Sequence, residues 1–237
     1  MNSALPGDYR RKVRSYVQRE GRMTPAQRRA LETLLPKYGV PPGTGPLDLD
    51  ALFGRRAPRV LEIGFGDGET LAALAAANPG TDYLGVEVHR PGVGHLLLKL
   101  DKDGIGNVRV ACSDAVEVLG DRIPDGSLAG INIFFPDPWP KKRHHKRRLI
   151  QPGFTELLAR KIAAGGRLHL ATDWMHYAEQ MQETLSACPG FEPGSPGPPA
   201  ARPGTRFEAR GRRLGHEIRD LVFIRSAGPS SSGKSCN

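Results

Sequence analysis

From about residue 59 onward, short apolar runs alternate with longer groups of apolar residues at helical spacing. Arg59-Val60-Leu61-Glu62-Ile63 is apolar, partly β-branched and too short for a helix, so it predicts a strand. A glycine turn follows, then a helix from about Glu69 to Ala77. Asp82 to Val88, Val108 to Cys112, Ala129 to Phe135 and Arg167 to Ala171 predict further strands, and Glu217 to Arg225 a last one. Between them, helices are expected through Leu96, Leu97, Leu98 and Leu100, then from about Ala115 to Leu119, Leu149 to Ala163 and His176 to Ser186. This alternation predicts an α/β fold: a mainly parallel sheet with helices on both faces. Ligands of such sheets gather beyond the carboxyl ends of the strands.

The flanks read differently. Residues 1 to about 23 are polar and carry Arg10, Arg11, Lys12, Arg14, Arg19 and Arg22, which predicts a mobile basic arm. Thr24 as N-cap, Pro25 at the first helical position and Gln27 three residues after the cap open a helix, which Pro36 and Gly39 end. Val40 to Asp50 is expected to be a loop, with Leu52-Phe53 as a short staple, and Pro189 to Pro203 another loop. Ser226 to Asn237 has the composition of a disordered tail. The expected organisation is therefore an arm and helix over 1–54, one α/β domain over 55–225 and a tail over 226–237.

Composition narrows the partners. The chain has 237 residues, 38% of them hydrophobic, enough for one core, and a formal net charge of +9. Such a charge favours RNA, DNA or an anionic membrane as partner and says nothing about fold. No run of eighteen apolar residues occurs and no hydrophobic signal core opens the chain, so a soluble, cytoplasmic protein is expected, as monomer or homodimer. Cys112, Cys188 and Cys236 lie far apart, which argues against a disulfide framework or a cysteine zinc site. The histidines show no ligand spacing, and His144-His145 sit among cations, so no metal is expected.

Candidate chemistry begins at Glu62-Ile63-Gly64-Phe65-Gly66-Asp67-Gly68, where a strand turns into a helix. Glycine there permits positive φ and close approach of a ligand to the backbone. Dinucleotide folds favour G-x-G-x-x-G, and here the third glycine comes one residue early. Glu62, Asp67 and Glu69 surround the turn, which suits a cationic ligand better than a pyrophosphate. S-adenosylmethionine, with its ammonium and sulfonium, is such a ligand. Glu87 ends the second strand, where a ribose diol would lie, and Asp114 follows the third, where an adenine amino group would be read. Taken singly, Glu87 and Asp114 could each be surface carboxylates or helix caps.

The most informative stretch is Phe134-Phe135-Pro136-Asp137-Pro138-Trp139-Pro140, followed by Lys141-Lys142-Arg143-His144-His145-Lys146-Arg147-Arg148. Pro136 and Pro138 each fix φ and remove a donor, so Asp137 is expected on a stiff exposed turn after a strand. Trp139 beside it could stack on or wall a base. The cationic block directly after a strand end reads as a phosphate contact; its bland alternative is a solvated face. Asp173 after the fifth strand is a candidate substrate contact, with N-cap of the next helix as competing role. Thr205-Arg206-Phe207-Glu208-Ala209-Arg210-Gly211 reads either as a loop closing on the sheet edge or as a lid touching a substrate base. A carboxylate beside a cationic shelf is the arrangement for chemistry on a nucleic acid.

Together these segments resemble the bacterial tRNA (guanine-N7)-methyltransferase family. The resemblance also rests on Ser15-Tyr16-Val17, Gly21-Arg22, Gly85 to Gly92, Tyr177-Ala178-Glu179 and Gly215-His216, in order from about residue 10 to 225. It implies a Rossmann-like class I methyltransferase fold with a seven-stranded, mostly parallel sheet. It implies S-adenosylmethionine contacts at Glu62, Gly64, Gly66, Glu87, Asp114 and Asp137, with Asp137 also catalytic. It implies substrate contacts at Lys141, Asp173, Thr205, Arg206, Phe207 and Glu208, RNA contacts at Arg143, His144, His145, Lys146, Arg147 and Arg148, and the variable-loop guanine of tRNA as target. The rival readings are a nicotinamide-dependent oxidoreductase, disfavoured by the glycine spacing, a non-catalytic RNA-binding protein, disfavoured by the acids at Glu62, Glu87, Asp114 and Asp137, and a methyltransferase for another substrate.

Overall fold

A computed structural model describes residues 15–16, 21–195 and 203–227. The arm residues Arg10, Arg11, Lys12, Arg14 and Arg19, residues 196–202 of the Pro/Gly loop and most of the expected tail lie outside these residues. The elements are α1 (Pro25–Thr33), α2 (Leu35–Tyr38), α3 (Leu49–Phe53), β1 (Arg59–Ile63), α4 (Glu69–Ala77), β2 (Asp82–Val86), α5 (Arg90–Lys102), β3 (Val108–Ala111), α6 (Ala115–Glu117), β4 (Leu128–Phe134), α7 (Pro152–Lys161), β5 (Ile162–Thr172), α8 (Met175–Ser186), β6 (Phe191–Pro193), α9 (Arg206–Arg213) and β7 (Arg219–Arg225). A π-helical turn, Val118–Arg122, extends α6, and a 3-10 turn spans Lys142–Arg147.

One seven-stranded sheet runs in the order β3-β2-β1-β4-β5-β7-β6. The first five strands are parallel, with Glu62 opposite both Gly85 and Asn132. β7 runs antiparallel to β5 and to β6. Parallel strands end on one side, so the residues after β1 to β5 share one edge. Each face of the sheet carries its own core. On one, Leu61, Ile63, Ile131, Ile133, Leu168 and Leu170 pack with Leu158 of α7 and Tyr177 and Met181 of α8. On the other, Tyr83, Val108 and Val110 pack with Leu71 of α4, Leu96, Leu97 and Leu100 of α5 and Ala30 and Leu31 of α1.

The expected cap of α1 forms in full: Thr24 Oγ1 accepts from Gln27 N at 3.2 Å, and Gln27 Oε1 accepts from Thr24 N at 2.9 Å. The N-terminal helices then close the β3 edge, where Val40 N donates to Val110 O at 2.9 Å. Several segments differ from expectation. α7 starts at Pro152 rather than Leu149, because the residue before a proline is pushed to extended backbone, here Gln151 at φ −133° and ψ 158°. It ends at Lys161, since Ile162 and Ala163 join β5. Phe191–Pro193, read as loop, is the edge strand β6, where a proline is tolerated. Thr205 to Gly211, read as loop or lid, is mostly the helix α9.

Gly94 tests how tightly α1 seats on α5. A Cβ there would lie 2.8 Å from the Gln27 carbonyl oxygen, which is backbone and cannot step aside. Alanine normally gains about 1 kcal/mol over glycine inside a helix, but overpacking costs about 1–3 kcal/mol. Gly94→Ala is therefore expected to destabilise, with a lower urea midpoint; a raised midpoint would contradict this packing.

Candidate active site

The loop after β1 is built on positive φ at Gly64 (73°), Gly66 (62°) and Gly68 (79°). The glycines serve different ends. A Cβ at Gly68 would strike Leu96, and one at Gly92, at the start of α5, would stand 2.0 Å from Gly66 O, so both glycines permit close packing beneath the loop. A Cβ at Gly64 would meet nothing within 4 Å, and one at Gly66 would meet only the Phe207 ring, at 3.9 Å. The upper face of the loop is thus a bare cradle open to a ligand.

Glu87 fixes that cradle to the end of β2. Its Oε2 accepts from Gly66 N at 3.0 Å, and its Oε1 accepts from Val88 N at 2.6 Å and His89 N at 2.9 Å. A carboxylate has about four acceptor sites, so Oε2 keeps capacity for a hydroxyl donor. Asp114 caps α6 through Oδ1, accepting from Val116 N at 2.8 Å; Oδ2 makes no hydrogen bond among the described residues. Asp114 is thus a helix cap and Glu87 a loop anchor, and each keeps acceptor capacity, so the alternatives the sequence offered do not exclude one another. Glu62 is buried in β1, 2% exposed, one step from the loop. The acids Asp67 and Glu69, expected to line the site, are instead paired with cations: Asp67 with Arg206 at 3.1 Å, and Glu69 with Lys99 at 3.2 Å. The acidic character of the cradle rests on Glu62, Glu87 and Asp114.

Beyond β4 the chain makes the expected turn, and its flanks are strained. Phe135 (φ 52°) and Trp139 (φ 44°) both lie in the left-handed region, which bulky residues adopt at a cost on the order of 1–3 kcal/mol each. Between them Asp137 is exposed. Trp139 is not a free stacking surface. Its Nε1 donates to Ser15 O at 3.0 Å, the Arg147 guanidinium lies 3.8 Å from its ring centre, and His144 meets it edge-on at 5.9 Å.

Asp173 follows β5 without capping α8, whose N-cap is Trp174. His216 Nδ1 donates to Asp173 Oδ2 at 3.2 Å, and the missing side chain at Gly211 leaves room for the same carboxylate. Thr205 is the N-cap of α9, accepting from Glu208 N at 3.0 Å, and Glu208 is buried with its Oε1 accepting from Arg212. Arg206 and Phe207 face the cradle: Arg206 through Asp67, Phe207 stacked with Phe135 at 6.4 Å. The sequence did not single out Asp67–Arg206, His216–Asp173 or Phe135–Phe207; each joins distant segments, so spacing carries no sign of it.

In the cationic block, Lys141, Lys142, Arg143 and Lys146 are exposed and Arg147 is partly so. Arg148, expected on RNA, is instead buried at 2% exposure, inside the protein. Burial and then the charges of Arg143, Arg147, Lys141 and Lys146 hold the His144 imidazole below its ordinary value. Burial and then Arg148 do the same at His145, against a hydrogen bond to Pro140. Among the described residues no group of three or more His, Cys, Asp or Glu could hold a metal ion, and no helix is long and apolar enough to cross a membrane.

A family model described as "Putative methyltransferase" matches residues 56–221. The chain is 58% identical to the tRNA (guanine-N(7)-)-methyltransferase of Alkalilimnicola ehrlichii, across 93% of this chain and 95% of that one. It is also 58% identical to the protein of the same name from Nitrosococcus oceani, across 91% and 92%. Among solved structures, the 16S rRNA methyltransferase KamB aligns with a TM-score of 0.54 at 16% identity, covering 76% of this chain and 93% of that one. The aminoglycoside resistance methyltransferase NpmB1 aligns with a TM-score of 0.53 at 15% identity, covering 75% and 92%. At such identity these two show the fold alone. With more than half of each sequence shared along nearly the whole length, the chain belongs to the tRNA (guanine-N7)-methyltransferase family.

Proposed function

We propose that this protein transfers the methyl group of S-adenosylmethionine to N7 of the variable-loop guanosine of tRNA. The observation that carries the reading is the 58% identity to relatives of that name across more than nine-tenths of this chain. The residues fit the donor: a bare glycine loop for its adenosine moiety, Glu87 for ribose hydroxyls, Asp114 for the adenine amino group, and Glu62 and Asp137 for its cationic end. The donor, when bound, supplies an electrophilic methyl on a sulfonium.

Guanine N7 has an in-plane lone pair and needs no base to free it. The protein's work is therefore alignment and charge placement. Asp137 stabilises the positive charge that grows on the purine as N7 is alkylated, by accepting from the guanine N1 or N2 hydrogens or by holding the cofactor's methionine end. Asp173, held by His216, and Thr205 to Glu208 fix the base, with Phe207 covering it from the α9 side. Lys141 to Arg147 hold the phosphates, whose contacts offset the few kcal/mol needed to displace the base.

Incubation with methyl-labelled S-adenosylmethionine and unmodified tRNA should label one guanine at N7; a labelled base elsewhere, or none, rejects the assignment. Asp137→Asn is expected to lower kcat by about 100-fold with little change in tRNA Kd, measured by single turnover and filter binding. Wild-type turnover in that variant would remove Asp137 from catalysis. Arg143→Ala with Lys146→Ala should lower the slope of log K against log salt by about 0.7–0.9 per lost phosphate contact. Because His144 and His145 sit below the ordinary value of 6.5, they add positive charge only under acid conditions. Affinity for tRNA at fixed salt is thus expected to rise as pH falls below that value, and to stay flat there in His144→Asn/His145→Asn.

A further inference from the structure

The cationic block carries six formal charges, yet one of them never reaches its surface. Arg148 closes the 3-10 turn Lys142–Arg147 with extended backbone, φ −57° and ψ 137°, which swings its side chain inward. Its Nε donates to Pro138 O at 2.9 Å, and its Nη1 donates to Gln180 Oε1 at 2.5 Å and to His176 Nδ1 at 3.1 Å. The guanidinium carbon lies 4.7 Å from the centre of the Tyr177 ring. All four partners are neutral, so the buried cation is held by dipoles and a ring face, and burial lowers its pKa.

Those partners are themselves fixed. Tyr177 is fully buried, and its hydroxyl accepts from Ile150 N at 3.1 Å. Gln180 Nε2 donates to Ile150 O at 3.1 Å, which sets its amide oxygen towards Arg148. The guanidinium thus bridges a rigid floor on α8 to the carbonyl of the residue next to Asp137. Phe135 N donates to Ala171 O at 2.7 Å and Trp139 Nε1 to Ser15 O, but within the turn Pro136, Pro138 and Pro140 lack N–H groups, and Phe135 and Trp139 are strained. Strained backbone persists only where its surroundings over-determine it.

From this geometry we propose that Arg148 is a positioning residue, pinning the Asp137 turn to α8 so that the carboxylate keeps its aim, and that it makes no contact with RNA. The inference rests on the proposed methyl transfer. Arg148→Met keeps the stem and removes the charge, a replacement that buried ions often tolerate without loss of stability. With wild-type protein and Arg147→Ala alongside, thermal midpoint, kcat, KM for tRNA and the salt slope of tRNA binding are measured. Arg148→Met is expected to fold, to keep the wild-type KM and salt slope, and to lose at least about tenfold in kcat, equivalent to about 1.4 kcal/mol of barrier. Arg147→Ala should do the reverse, with a lower slope and raised KM. If Arg148→Met does not fold, Arg148→Lys, which keeps the charge but not the planar fork, is held to the same expectation. A lowered slope with unchanged kcat would return Arg148 to the RNA, and unchanged kcat with an altered midpoint would reduce it to a core strut. An inactive wild type would instead remove the function, which separates that failure from this one.

Discussion

Glu87 accepts from three backbone N–H groups, and through them it joins the end of β2 to the glycine loop after β1. A glycine loop has many accessible conformations, so an unanchored cradle would have to be ordered by its ligand. Here the ordering is built in. The same carboxylate oxygen that takes Gly66 N keeps room for a further donor, so in the proposed role one group would both hold the loop and read the ligand. Gly92 adds the complementary constraint from below, since any side chain there would enter the Gly66 carbonyl.

The two halves of the site follow opposite electrostatic rules. Around the cradle stand the acids Glu62, Glu87 and Asp114, which the proposed function sets against a cationic donor. A few residues along the sheet edge, the surface turns positive from Lys141 to Arg147. What lies between is shaped by hydrogen bonds and ring contacts rather than by net charge: the Asp137 turn with its strained flanks, and the Asp173–His216 pair. The Asp67–Arg206 ion pair joins the cradle to α9, at an exposed position where screening keeps it weak.

The strands were legible because β-branched and apolar residues cluster in them, and Glu69 to Ala77 forms a helix with the bounds expected. That Glu87, Asp114 and Asp137 share one edge was legible because parallel topology turns strand order into spatial neighbourhood. What escaped did so for identifiable reasons. β6 has three residues, one of them proline, and only its edge position makes it a strand. α9 has almost no apolar residue to show a helical period, although Thr205-x-x-Glu208 is the spacing of a helix start. Arg148 is indistinguishable in sequence from the cations before it. Its burial is decided by Gln180, thirty-two positions later, and by Tyr177 and His176 on the same helix. A charge run gives no sign of which member turns inward.

The reversal of β7 has a consequence for how such a protein can change. Arg219 pairs with Thr172, so β7 starts where β5 stops, and whatever precedes β7 must arrive at the ligand-bearing rim. The chain between Pro193 and Arg219, with α9 in it, is therefore the connection of a hairpin whose two strands are registered on their own account. Loop-closure entropy grows only slowly with length. Residues gained or lost ahead of Thr205 leave strand register untouched while moving α9 over the pocket. Length changes there would leave β1 to β4 and the glycine loop as they stand.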